Sequence, residues 1–504
     1  NTMPAISVEV APKHDIIGRD LPLSNTIACV TMKAIELSED DNHRAPIDLI
    51  VALDISGSMF GAKLDLCKTT LELLLRVLYP EDRFGLICYS NIATVECPPQ
   101  KMTDSNKKSC LQKIKSLRAY GGTDISSAVG LAHQEMFAVN DPNEVRSVFL
   151  LTDGLANAGI RDTAGLAELT KNCFANDNFD QHSVGAHPTS HGSREEESTP
   201  QAVIVNKNCP ITLHCFGYGS NHNASLLEEM SGATRGGSYY FVENDTNVGT
   251  AFGDALGGIL SVVAQNVSVA IEVPAEAQEK GVEILGVRND GKIMRGNGSY
   301  SVRVGDFYAE ESRDVLFDLS LMKDDTLPPN AAPIPHVTVV VSYIDTIRKV
   351  PVTSDPIICA IARPSGIELS ESNEHVDAHL LRIQAVDAMK EADELARFGN
   401  VAAAKAKLQT HRQCIQASGM KNEMLDQLSL DLETVGESFA SLSTYQATGS
   451  KTSRNLWTTH GMQRCMDSES RAVANVYENK KKRGTVTKMS LPSTKMKTDE
   501  ERSQ

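Results

Sequence analysis

The spacing of hydrophobic and polar positions changes character three times along the chain. Residues 5–36 alternate with period two: Ile6, Val8 and Val10 are separated by Ser7 and Glu9, and a second apolar segment runs from Ile27 to Ile35. That period places successive side chains on opposite faces of a strand. Ser38-Glu39-Asp40-Asp41-Asn42 makes a polar break. From 47 onward short apolar runs alternate with longer stretches of helical period. The strands predicted there are Asp48–Asp54, Arg83–Ser90, Ser147–Thr152, Ile211–Phe216 and Ser238–Val242. The helices are Lys63–Leu78, Asp104–Leu117, Ile125–Phe137, Thr163–Phe174, Ala224–Ser231 and Thr250–Gln265. Such alternation means an α/β fold, a doubly wound and mostly parallel sheet covered on both faces.

Between 176 and 208 the pattern fails. The stretch is rich in Asn, Asp, His, Ser, Gly and Glu and holds His182, His187 and His191. With so few apolar residues it reads as a disordered loop insertion rather than a metal-binding tract. From 266 to 363 period two returns, as in Val267, Val269, Ile271 and Val273, or Val337, Val339, Val341 and Tyr343. Turn signals at Asn289-Asp290-Gly291 and Pro328-Pro329-Asn330 break the runs, and the segment reads as an antiparallel β-sandwich. Residues 1–40 share this style and would otherwise be orphan strands, so they are expected to complete that sandwich. The α/β domain, 46–265, is then inserted between its two parts. After Pro364 the period becomes helical, with Leu380, Ile383, Val386, Met389 and Leu395 on one stripe. Helices at 374–397, 401–417 and 423–441 predict a small antiparallel bundle, a helical module at 368–445. Residues 446–504 read as a weakly ordered polar and basic tail.

Composition narrows the function classes. The chain has 504 residues and a formal net charge of −16. A chain that acidic is a poor nucleic-acid binder, because neutralising phosphates needs clustered cations. Its one basic run, Lys480-Lys481-Lys482-Arg483, reads as part of a solvated tail. No run approaches the ~18 apolar residues of a membrane span. The opening Asn1-Thr2-Met3-Pro4 carries neither a basic-then-apolar leader nor an initiator Met, which is compatible with an upstream segment having been removed. Eleven scattered cysteines, an odd count without a C-x-x-C pair, fit reduced and mostly buried thiols and a cytoplasmic location. Secretion is the alternative, and glycans at Asn266 or Asn297 would mark it.

The candidate chemistry sits where the first α/β strand ends, in Asp54-Ile55-Ser56-Gly57-Ser58. Ligands bind at the carboxyl ends of strands in open α/β sheets. This D-x-S-x-S spacing puts one carboxylate and two hydroxyls on a single tight loop, an oxygen set that suits a hard divalent cation. Gly121-Gly122-Thr123-Asp124 offers a third hydroxyl before a helix, and Leu151-Thr152-Asp153-Gly154 a second carboxylate after a strand. With these residues in order, the region 47–264 resembles the von Willebrand factor A domain and its metal-ion-dependent adhesion site. The resemblance implies that Asp54, Ser56, Ser58, Thr123 and Asp153 hold Mg²⁺, with Mn²⁺ or Ca²⁺ as alternatives. The hydroxyls are neutral, so the cation stays electrophilic, and an open position favours an Asp or Glu from a partner protein. A binding device without catalytic residues of its own is expected.

The segments Leu380-Leu381-Arg382-Ile383-Gln384-Ala385 and Ala392-Asp393-Glu394-Leu395-Ala396-Arg397-Phe398-Gly399 extend the resemblance. They look like a module that follows A domains in plant RING-type and fungal U-box ubiquitin ligases and in VWA/Hedgehog-intein-like (Vwaint) proteins. That implies a substrate-recruiting subunit of a ligase complex, although the chain shows neither RING-like Cys/His spacing nor a U-box. An A domain flanked by strands is also similar to secreted inter-alpha-trypsin-inhibitor heavy chains, which implies a matrix or adhesion protein. Two other patterns fail on their spacing. Gly57 and Gly61 before Ala62-Lys63 do not satisfy a phosphate-binding loop. His375 and His379 lie four apart, but Val376 stands where a zinc protease needs Glu, and both read as surface histidines.

Overall fold

The computed structural model describes residues 4–21, 25–37, 44–174, 211–219, 222–234, 236–242, 245–289, 292–296, 298–321, 334–464, 476–477 and 479–490. The insertion expected at 176–208 lies outside them, as do the turns at 290–291 and 328–330. Two compact units emerge: Ala45–Tyr239, and Asn1–Arg44 together with Tyr240–Gln504.

The chain begins with β1 (Ile6–Pro12) and β2 (Asn25–Ala34), antiparallel neighbours in register from Ile6↔Ala34 to Pro12↔Ala28. The α/β elements follow: β3 (Ile47–Asp54), α1 (Ala62–Val77), β4 (Arg83–Tyr89), β5 (Ala93–Lys101), α2 (Asp104–Ser116) and α3 (Ile125–Phe137). After them come β6 (Val145–Thr152), α4 (Thr163–Phe174), β7 (Thr212–Tyr218), α5 (Ala224–Gly232) and β8 (Ser238–Val242). The sheet order is β5-β4-β3-β6-β7-β8, with β3 parallel to both β4 and β6, and β6 parallel to β7. Every residue of β3, β4, β6 and β7 is buried, which is why these strands read as continuous apolar runs. The edge strand β5 was not visible in the sequence. Its Pro98 and Pro99 and its exposed Val95 depart from a central-strand pattern, and only antiparallel pairing with β4 orders it.

The second unit continues with α6 (Asp245–Ile259) and β9 (Val262–Glu272). The helix expected to reach Gln265 therefore stops six residues sooner. The N–H of Ser261 turns back to Gly258, and β-branched Val262 and Val263 enter the sheet. Next come α7 (Ala275–Glu279), β10 (Glu283–Arg288), β11 (Lys292–Arg295), β12 (Ser299–Tyr308), β13 (Ser312–Ser320), β14 (Ile334–Asp345), β15 (Val350–Thr353) and β16 (Ile357–Ile361). One sheet runs β1-β2-β13-β10, and the other β11-β12-β9-β14-β15 with β16 also on β14. A common core containing Val30, Met32, Phe317, Val269, Val302 and Val339 joins them. Residues 5–36 thus complete an antiparallel sandwich whose partner strand β13 comes after the inserted α/β region.

Three helices follow: α8 (Glu374–Arg397), α9 (Val401–Ser418) and α10 (Glu423–Ser438). Asn373, Asn400 and Asn422 cap their N-termini through side-chain oxygens, and Gly419 ends α9 in the left-handed region. Of the two histidines on α8, the His375 side chain is 45% exposed, but His379 is buried against Asp314. The surface reading therefore holds for one of the pair.

The weakly ordered tail expected after 446 is corrected in two places. Helix Ser450–Met462 packs Leu456 and Trp457 into the bundle core, and helix Lys480–Ser490 lies along α6. A Cβ added to Gly253 would stand 2.6 Å from Val486 Cα, so the helices approach at van der Waals distance because α6 has glycine there. Lys482, read as part of a solvated run, is buried with its ammonium on both oxygens of Asp254 at 3.0 and 3.1 Å. Polar composition hid these helices, because their burial rests on ion pairs as much as on apolar area. Arg464 is another such anchor. Its guanidinium meets both Glu311 oxygens at 2.7 and 3.2 Å and lies over the Tyr308 ring, while Arg313 reaches the same carboxylate at 3.1 Å.

Two outcomes follow from this buried network. Arg464→Ala strands part of the Glu311 charge in the interior, and urea unfolding should show a loss on the order of 3–5 kcal/mol. Burial would raise the Glu311 pKa, yet Arg313 and Arg464 hold it down from 4.5 to about 2. A carboxylate depressed by folding stabilises fully above its unfolded pKa and loses that contribution as pH falls through the folded one. Unfolding midpoints should therefore drop between about pH 4.5 and pH 2. Glu311→Gln, less stable at neutral pH, should show a shallower slope over that window.

Candidate metal centre

Strand β3 carries Asp54 to the carboxyl edge of the parallel sheet, and the chain then turns sharply through Ser56-Gly57-Ser58. Backbone bonds tie this loop to two neighbours: Ile55 N–H donates to Tyr89 O at 2.9 Å, Tyr120 N–H to Ile55 O at 2.7 Å, and Gly57 N–H to Gly121 O at 3.0 Å. The Thr123 loop is held from its other side. Thr123 N–H donates to Asn157 Oδ1 at 2.8 Å, Asn157 N–H returns to Thr123 O at 3.0 Å, and Gly122 N–H donates to Asn91 Oδ1 at 2.8 Å. Strand β6 delivers Thr152 and Asp153 beside them.

The side chains form a continuous chain of oxygens. Asp54 is fully buried, accepting from Ser56 N–H at 2.8 Å and from the Thr152 hydroxyl at 2.7 Å. The Ser56 and Ser58 hydroxyls are 3.0 Å apart, and Ser58 donates to Asp153 Oδ1 at 2.7 Å. Thr123 joins over Gly154: a Cβ there would lie 3.4 Å from Thr123 Oγ1 and 3.7 Å from Ser58 Oγ. Glycine keeps this cradle open. Ser56, Thr123 and Asp153 are buried and Ser58 is exposed, so the oxygen set faces solvent on one side. Burial pushes the Asp54 carboxyl up to about 6, against the hydrogen bonds from Thr152 and Ser56, with the Asp153 charge adding to the rise. The Lys63 ammonium reaches the other oxygen of Asp153 and supplies positive charge beside the donors.

All five residues singled out in the sequence therefore converge through three loops, with Ser58 and Asp153 bonded although 95 residues apart. The donors are carboxylate and hydroxyl oxygens only, with no sulfur or imidazole among them, and such a set fits a hard divalent cation. Four further residues were missed: Asn91 and Asn157, which pin the Thr123 loop, Thr152, which binds Asp54, and Lys63. Thr152 adjoins a predicted residue and was legible as its neighbour. The asparagines sit in loops, where Asn is too ordinary to stand out.

Known proteins agree with the topology. Residues 48–254 match the profile of the von Willebrand factor type A domain. The E3 ubiquitin-protein ligase WAV3 of Arabidopsis thaliana is 27% identical over 283 residues, covering 56% of this chain and 32% of that protein. Inter alpha-trypsin inhibitor heavy chain 4 of Mus musculus is 26% identical over 239 residues, 46% of this chain and 22% of that protein. The chain thus spans a third or less of these relatives. A solved von Willebrand factor type A structure from Catenulispora acidiphila superposes with a TM-score of 0.60 at 16% identity, covering 84% of this chain and 89% of that one. Among the described residues no helix is long and apolar enough to cross a membrane. Residues 48–254, within the span from β3 to α6, thus carry the sequence profile and the fold of a von Willebrand factor type A domain.

Proposed function

We propose that the chain binds a partner protein through a divalent cation, Mg²⁺ by preference, held by Asp54, Ser56, Ser58, Thr123 and Asp153. The cation when bound supplies an electrophilic position for an Asp or Glu of the partner. The observation that carries this reading is what surrounds the oxygen set. Phe60, Ile92, Tyr120 and Leu155 are each more than half exposed, Phe60 at 81%. Each stands within a few residues of the site: Phe60 two after Ser58, Tyr120 three before Thr123, Leu155 two after Asp153, and Ile92 next to Asn91. Exposed apolar side chains scattered singly need no explanation, but aromatic and aliphatic residues on each loop of one polar site suit a binding rim. The acidic partner is drawn by the local cation, since the chain's net charge of −16 opposes it at long range.

A second reading, recruitment of a substrate to a ubiquitin ligase complex, is favoured by the likeness to WAV3. It uses the same face and requires a RING or U-box chain to co-purify with this one.

The test measures metal and partner separately. Mg²⁺ or Mn²⁺ should raise the thermal unfolding midpoint, by about 2.7 kcal/mol of stabilisation at 100-fold over Kd. Asp54→Ala should abolish the shift, and equal shifts in both proteins would overturn the metal assignment. Pull-downs should lose their partner in chelator and only weaken in moderate salt. Tyr120→Ala with Leu155→Ala should weaken capture while leaving the Mg²⁺ shift intact. Lys63→Ala, which frees Asp153 from a competing ammonium, should tighten Mg²⁺ in a thermal-shift titration. The gain is at most about fivefold, because a pair with a partly exposed lysine is worth no more than about 1 kcal/mol.

A further inference from the structure

The α8-covered face of the β1-β2-β13-β10 sheet holds a second cluster of donors, which the sandwich core does not use. Cys29 and Thr31 are two apart on β2 and so share a face. Asp314 on β13 is in register with Thr31. His375 and His379, four apart at the start of α8, come down over it. Asp314 Oδ1 accepts from Thr31 Oγ1 at 2.6 Å and meets His375 Nε2 at 2.7 Å and Cys29 Sγ at 3.6 Å. Its other oxygen meets His379 Nε2 at 3.2 Å. Cys29 Sγ, a carboxylate oxygen of Asp314 and a ring nitrogen of His375 all lie within 4.8 Å of one another.

We propose that Cys29, Asp314 and His375 are the protein ligands of a zinc-class metal site on the sandwich, separate from the oxygen set of the A domain. One sulfur, one imidazole and one carboxylate make the borderline-soft set that zinc takes, and they are a poor match for magnesium. The charges balance: thiolate and carboxylate together neutralise a divalent ion, which suits a site where Cys29 and Asp314 are buried. On binding, the Cys29 Sγ proton leaves to solvent, and His375 keeps its ring proton on Nδ1 so that Nε2 offers a lone pair. The half-exposed His375 side marks the entry path and leaves the fourth position to water.

The neighbours fill supporting roles. His379 Nδ1 accepts from Arg382 Nε at 3.1 Å, which turns its Nε2–H toward Asp314. His379 and Thr31 therefore orient the carboxylate and do not compete for the metal. Donor separations in a tetrahedral zinc site are about 3.3–3.8 Å, from bond lengths of about 2.0–2.3 Å. The present separations, 2.7 Å from Asp314 Oδ1 to His375 Nε2, 3.6 Å to Cys29 Sγ and no more than 4.8 Å across the set, bracket that range.

The experiment uses the full chain carrying Asp54→Ala, so that the A-domain site is silent. One equivalent of Co²⁺ should produce a thiolate-to-cobalt charge-transfer band that Zn²⁺ displaces. Cys29→Ser should remove the band. His375→Ala should lower Zn²⁺ affinity at least tenfold against a chromophoric chelator, with metal-free unfolding measured alongside because the change also removes a partner of the buried Asp314. A missing band, a band that survives Cys29→Ser, or equal Zn²⁺ affinity in His375→Ala would each overturn the site. The cluster would then be a hydrogen-bonded clasp holding α8 to the sheet.

Discussion

A carboxylate removed from water must be met by a cation or by several donors, because leaving it bare costs several kcal/mol. Much of this molecule's organisation answers that constraint. Asp54 and Asp153 at the sheet edge are met by hydroxyls, a backbone N–H and Lys63. Glu311 is met by Arg313 and Arg464, Asp254 by Lys482 and Tyr240, and Asp314 by Thr31 and two histidines. In each case the carboxylate belongs to a strand, a strand end, a hairpin or a helix, and most of its partners arrive from elsewhere in the chain.

That distance has consequences for assembly. Strand β2 waits for β13, whose partner residues are nearly 290 positions later, with the whole A domain between them. The parallel sheet of the A domain joins strands through intervening helices and can gather its own core without the sandwich. Closing the sandwich needs chain from both sides of the insertion, which carries the loop-closure entropy of a long separation. Ion pairs such as Arg464–Glu311 then tie the end of helix Ser450–Met462 to a β hairpin much earlier in the sequence.

The same constraint makes the A-domain edge suited to binding. Three loops bring neutral hydroxyls between two carboxylates, so the site is oxygen-rich yet not saturated with charge. On its loops stand Phe60, Ile92, Tyr120 and Leu155, apolar residues left exposed to solvent. An apolar rim beside an oxygen set open to solvent is the arrangement that the proposed partner binding draws on.

The sequence by itself determined the layered plan. Continuous apolar runs marked the buried parallel strands and period two marked the sandwich, because each of these is a local rule of backbone geometry and burial. It also determined the five oxygen ligands proposed for the metal, since D-x-S-x-S, Thr123 and Asp153 each sit at a legible strand or helix boundary. Only the tertiary structure decided the rest. Edge strand β5, with its prolines, needed β4 to order it. The helices at 450–462 and 480–490 needed Trp457 in the bundle core and Lys482 on Asp254 to be more than polar tail. Cys29, Asp314 and His375 carry no common motif, because their meeting depends on β2 pairing with β13 and on α8 lying across both. Periodicity reports which face a side chain takes; which distant side chain it meets there is settled by strand register and helix docking.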